Sequence, residues 1–174
     1  MSNRTVTSLD FEIYLLTGMK CEHLVRAKMA EIGLTASRAG AIRESVSPLM
    51  KLDAGQFARI RQILTPTDDR VVSAEISHRL QLWPDFDFVI APGRMGFLGK
   101  ARFERNPGTA GPRVESPDDL EPWNLTISEL SFVFGPLSDG DHWPPYEEYL
   151  FRDSTGNGHG AGFSWGLLQE VEAL

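Results

Sequence analysis

The hydrophobic period of this chain changes once, at about Trp83–Pro84, and that change limits the fold more than any other feature. Before it, apolar residues recur at the three-to-four-residue spacing of amphipathic helices. After it, they come in short runs and alternations bounded by proline and glycine. Helices followed by strands, without strand–helix–strand alternation, predict an α+β fold with segregated layers. The expectation is an N-terminal layer of about four helices packed on a C-terminal, mostly antiparallel sheet. The 174 residues are read as a single domain, 1–174, with a helical half at about 1–83 and a strand-rich half at about 84–174. A domain of that size buries roughly 70% of the surface its unfolded chain exposes and needs no staple.

Local signals divide the first half. Ser8–Leu16 is ambiguous: Phe11, Ile13 and Leu15 alternate as in a strand, whereas Leu9, Ile13 and Leu16 suit a helix, the reading preferred because Gly18 then ends it. Lys20–Ile32 reads as a helix with Leu24, Ala27, Met29 (or Ala30) and Ile32 on one face, closed by Gly33. Thr35 caps a helix through Val46 that turns Ala39, Ile42 and Val46 inward. Asp53 caps another, with Phe57, Ile60, Ile63 and Leu64 as its stripe. A further helix is predicted from about Thr67 to Leu82, using Val72, Ile76 and Leu80.

The second half predicts strands at Phe86–Ala91 and Met95–Phe103, where Gly96 and Gly99 suggest a bulge or a close backbone approach. The strongest strand pattern is Leu125–Phe134, although its alternation slips near Leu130. Weaker strands are expected at Tyr149–Arg152 and Phe163–Leu168, and the end, Leu167–Leu174, is open to a helical reading. Asn106–Pro122 is a long polar loop.

Composition excludes several classes. Hydrophobic residues are 41% and charged residues 24%, near the globular average and unlike disordered, collagenous or coiled-coil chains. No apolar run approaches the ~18 to 20 residues that cross a bilayer, so no membrane partner is expected. A lone cysteine, Cys21, excludes an internal disulfide and a thiolate zinc site. With no basic-then-apolar leader at Met1–Thr17, a cytoplasmic, reducing location is expected.

Charge is lopsided. Residues 1–82 hold 11 basic and 9 acidic side chains, and residues 83–174 hold 6 and 15. Such asymmetry speaks to steering and association. The densest polar and aromatic stretch contains Asp139, Asp141, His142, Trp143, Tyr146, Glu147 and Glu148, stiffened by Pro144 and Pro145. Aromatics supply contact area and acids supply steering, so these seven are the candidate binding residues. They are expected on a rigid loop, with Asp118, Asp119 and Glu121 near in composition, facing a partner protein with a basic surface. The function class that follows is a small acidic interaction module, such as an inhibitor of a nucleic-acid-binding enzyme or an immunity-type protein. The plainer alternative tucks Trp143 and Tyr149 into the core.

Competing chemistries draw on the same residues. A small enzyme would pair His142 with Glu147 or Glu148. A metal site would join Asp139, Asp141 and His142 to His159 or Asp153. Neither has a spacing signature, and nucleophile-elbow, His-Glu-x-x-His and dinucleotide fingerprints are all missing. No catalytic residue, metal ligand or cofactor is assigned. Asp153–Gly158 resembles the opening of an EF-hand calcium loop, but Ser164 stands where the bidentate glutamate belongs, so a glycine-rich hairpin turn is preferred. Met29–Arg43 can be read as a helix-turn-helix regulator presenting Arg38 and Arg43. Gly40 inside its second helix costs about 1 kcal/mol relative to alanine, and the weak positive balance makes direct nucleic-acid binding unfavoured.

Overall fold

A computed structural model describes residues 5–66 and 75–174. The chain is α+β and divides into two compact units, Met1–Ala101 and Arg102–Leu174.

The first unit opens with α1 (Ser8–Thr17), begun by a capping box in which the Asp10 carboxylate accepts the Thr7 backbone N–H and hydroxyl. Phe11, Ile13, Leu15 and Leu16 are all buried, so α1 lacks a narrow apolar stripe. That explains its ambiguous pattern: a helix enclosed on several sides shows little amphipathic period. By contrast, α2 (Glu22–Glu31) buries no residue at all, so the expected apolar face of Leu24, Ala27 and Met29 is a partly covered surface. Gly33 follows it at φ +63°. The next helix, α3 (Ala36–Val46), is capped by the Thr35 hydroxyl and buries Ala39, Ile42 and Val46. A short 3-10 turn, Ser47–Met50, carries Pro48, and α4 (Gln56–Leu64) buries Phe57, Ile60, Ile63 and Leu64.

The last predicted helix of this half is corrected. Residues 67–74, Val72 included, lie outside the described residues, and Ile76–Arg79 forms strand β1. Ile76 and Leu80 are four apart, a spacing that belongs to both periods, since every second residue of a strand also faces one way. Antiparallel pairing with β2 (Phe86–Pro92) settles the matter, with Ile76 opposite Ile90 and His78 opposite Phe88. Phe11 meets Phe88 edge-on at 5.3 Å between ring centres, joining α1 to the sheet. The third strand, β3 (Leu98–Arg105), completes the order β1-β2-β3. A Cβ added to Gly99 would lie 2.7 Å from the Gly93 Cα, so the glycine there does mark two backbones in contact.

The second unit begins at Arg102, within β3. Its helix, α5 (Ile127–Phe134), replaces the expected strand at Leu125–Phe134. The reason is a capping box: the Thr126 hydroxyl accepts from the Glu129 N–H, and the Glu129 carboxylate accepts from the Thr126 N–H. Arg105 fixes the same glutamate by an ion pair. Four strands follow as an antiparallel meander: β4 (Ser138–Trp143), β5 (Tyr146–Arg152), β6 (Gly158–Ser164) and β7 (Leu167–Ala173). Three expectations change here. The rigid loop at Asp139–Glu148 is a hairpin of β4 and β5 turning at Pro144–Pro145. The strand expected at Phe163–Leu168 straddles the β6–β7 hairpin, whose turn places Trp165 and Gly166 at positive φ. The end, expected to turn helical over Leu167–Leu174, is strand over Leu167–Ala173, because it pairs with β6.

Alternation along the meander creates two faces. Leu125, Leu130, Phe151, Ala161, Phe163 and Leu168 form the core under α5, with Phe134, Tyr149 and Val171 packed on it. The other face carries Tyr146, Glu148, Gly160, Gly162, Glu170 and Glu172, placed together by the registers Glu148–Gly162, Gly162–Glu170 and Gly160–Glu172.

Candidate functional site

Arg102–Leu174 contains 13 acidic residues and 4 basic ones, all arginine. Arg102, Arg105 and Arg113 are already paired with Glu104, Glu129 and Glu115, and Arg152 donates to the Gly156 carbonyl. The acids of the meander therefore set the charge of this unit.

The seven candidate residues lie in one hairpin but not in one cluster. Trp143 pairs with Tyr146, His142 with Glu147 and Asp139 with Tyr149, with a bulge between Asp139 and His142. Strand alternation sends Tyr146 and Glu148 to the face away from α5, and Glu147 to the opposite side. Trp143 stays 54% exposed and stacks on Tyr146 at 4.9 Å between ring centres. Tyr149, in contrast, packs against Phe163 at the core. The plain alternative thus holds for Tyr149 and not for Trp143.

Around Tyr146 the glycines of neighbouring strands form a floor. A Cβ on Gly140 would lie 2.8 Å from a Glu148 carboxylate oxygen, and one on Gly162 would lie 2.0 Å from the Tyr146 hydroxyl. Both side chains therefore lie down across the sheet, and Glu170 and Glu172 border them. The Tyr146 hydroxyl donates to Glu170 Oε1 at 2.6 Å, and Glu148 accepts the Asp141 N–H at 3.2 Å. Burial first, then the bond to Glu170, then the charges of Glu170, Glu148 and Glu172 push the Tyr146 phenol well above its ordinary range. Glu170 and Glu172 were not among the sequence candidates; their signal was the pairing of Glu-x-Glu in β7 with Gly-x-Gly in β6.

The rival chemistries separate in space. His142 Nε2 lies 3.9 Å from Asp139 and its ring meets Tyr149 edge-on, while Glu147 is its cross-strand neighbour. His159 sits opposite Phe151, four residues along β5 from the partner of His142, a run of roughly 13 Å at strand rise. Its Nε2 is 3.0 Å from Asp153, which also accepts from the Thr155 hydroxyl and the Thr155 and Asn157 N–H groups. These donors, led by Thr155 and then His159, hold the Asp153 carboxyl well below the usual carboxylate range. The segment that resembles a calcium loop is a self-bonded hairpin turn. Among the described residues no three His, Cys, Asp or Glu side chains gather as metal ligands.

In the helical unit, the Arg43 guanidinium donates to the Thr17 carbonyl and hydroxyl at 3.0 Å and lies over the Tyr14 ring. That arginine is engaged with α1, leaving Arg38 exposed on α3. Cys21 stands at the N-cap of α2. No described helix is long and apolar enough to cross a membrane. Comparison with protein families, with characterised proteins and with solved structures finds no match to this chain.

Proposed function

We propose that this protein is a small interaction module of the reducing cytoplasm that docks the acidic, aromatic surface of its β4–β7 sheet on a basic partner protein. An inhibitor of a nucleic-acid-binding enzyme, or an immunity-type protein that neutralises a toxin, has this chemistry. The supporting observation is the convergence of Glu148, Glu170 and Glu172 around Tyr146, beside an exposed Trp143. Neither Glu148 nor Glu172 has a basic partner among the described residues. Clustered carboxylates accelerate encounter with a cationic surface by roughly 10-fold or more at low salt, and a packed aromatic supplies an anchor once contact is made.

Replacement of Asp141, Glu148 and Glu172 by Lys tests the reading. With a partner obtained by affinity capture and identified by mass spectrometry, the triple variant is expected to associate more slowly and with a weaker salt dependence. Unchanged association and salt dependence would overturn the role.

A further inference from the structure

We infer that the basic partner engages this surface by strand addition, laying an extended cationic segment along the open edge of β4. This rests on the docking role proposed above and specifies its geometry. A four-stranded meander has two edges, and the chain treats them differently. Along β7 the edge is closed at its start: the Leu168 N–H donates to the Leu125 carbonyl at 2.9 Å, the Trp123 N–H donates to the Leu168 carbonyl at 2.8 Å, and Thr126 bridges Leu167. Along β4, Ser138, Asp139, Asp141, His142 and Trp143 are all exposed. Within this unit the backbone of residues 138–142 makes backbone hydrogen bonds to β5 alone. An antiparallel edge strand turns alternate N–H and C=O groups outward, where they are ready to pair. Among residues 138–142, the Asp141 N–H alone is taken by a side chain, that of Glu148.

The charges on this edge select what can add to it. Two β4 edges brought together from separate copies would set Asp139 and Asp141 against like charges, which disfavours pairing. A strand bearing lysine or arginine meets the same carboxylates as counter-charges, so one feature blocks self-pairing and admits a cationic segment. Trp143, exposed and held by its stack on Tyr146, stands at the end of the edge as an anchor for aliphatic or cationic side chains. The bulge between Asp139 and His142 interrupts the ladder, so the added strand is short, on the order of four paired residues.

The test uses the full chain and a capped peptide of alternating Lys and Val, with a second peptide N-methylated on the amides of one edge. Binding is followed by amide chemical shifts and hydrogen exchange. The unmodified peptide is expected to bind, to slow exchange along Ser138–Trp143, and to lose about tenfold in affinity on N-methylation, the cost of one or two hydrogen bonds. Equal binding of both peptides, or protection confined to β7, overturns strand addition and leaves docking by charge standing. Failure of both peptides to bind, or binding unchanged in the Asp141→Lys/Glu148→Lys protein, overturns the two readings together.

Discussion

The fully buried carboxylate of Glu12 accepts the backbone N–H of Leu82 at 2.8 Å, across 70 residues of chain. It also accepts the Gln81 N–H, at 2.9 and 3.1 Å to its two oxygens, and lies 3.6 Å from His78 Nε2. These amides belong to the connection between β1 and β2, where turn geometry leaves N–H groups without a ladder partner. The buried Glu12 of α1 is therefore a cap for a distant turn. Glu12→Ala leaves two donors unmet and is expected to cost roughly 2 to 4 kcal/mol. Glu12→Gln, which retains one acceptor oxygen, costs less. Urea unfolding measures both, and stabilities indistinguishable from the parent chain would show the carboxylate to be dispensable.

The Tyr146–Glu170 bond predicts behaviour at high pH. Tyrosine is charged only after losing its proton, and the folded environment favours the neutral phenol. Its contribution to stability is complete below the ordinary tyrosine value of 10.0 and is lost as pH climbs toward the raised folded value. In an alkaline ultraviolet titration, two of the three tyrosines are expected to ionise late: Tyr146, and Tyr149, whose phenol is raised by burial and by the charges of Glu147 and Asp139. Tyr146→Phe removes one late-ionising group and leaves that of Tyr149, and Glu170→Gln, which keeps an acceptor oxygen but deletes the charge, moves the Tyr146 step to lower pH. Titration curves that superimpose for all three proteins would contradict the assignment.

The hairpin turn at Asp153 predicts the opposite limb. Here the folded state favours the ionised carboxylate, so its contribution is present above the ordinary value of 3.8 and fades as pH falls below it. Asp153→Asn keeps an acceptor oxygen but loses the charge that Thr155, Asn157 and His159 address. Melting temperature measured across an acid series is expected to fall less steeply below about pH 4 in the variant than in the parent. Identical acid limbs would mean that the turn does not depend on this charge.

Legibility in the sequence varied for identifiable reasons. Ala39, Ile42 and Val46, like Phe57, Ile60 and Ile63, were readable because each helix presents a single stripe to one core. Leu125–Phe134 misled because Leu, Ile, Phe and Val fill both periods there, yet the Thr126–Glu129 capping box and the slip at Leu130 were the helix signature. Ile76 and Leu80 misled in the reverse direction. Asp139, Tyr146 and Glu148 were singled out on local density. Glu170 and Glu172, which complete the surface, lie more than 20 residues downstream of Glu148, and only the meander's register brings them alongside. The expected single surface of seven residues also divides, because a period of two sends neighbours such as Glu147 and Glu148 to opposite faces.

The glycine floor supplies the most local test of the surface. A methyl group on Gly162 would lie 2.0 Å from the Tyr146 hydroxyl oxygen, 2.8 Å from Cζ and 3.1 Å from the Glu170 Cγ. The phenol has little freedom to move aside, since Trp143 stacks on it and Glu170 holds its hydroxyl. Gly162→Ala is expected to destabilise by roughly 1 to 3 kcal/mol, the usual cost of overpacking. Gly160→Ala should cost less, because the nearest atom there is a Glu148 carboxylate oxygen at 3.3 Å, the end of a chain that can rotate. Pairing Gly162→Ala with Tyr146→Ala in a double-mutant cycle isolates the clash: with the ring gone, the added methyl group should cost almost nothing. If Gly162→Ala costs the same with and without the ring, the phenol does not lie across this glycine, and the floor beneath the acidic surface is not as described.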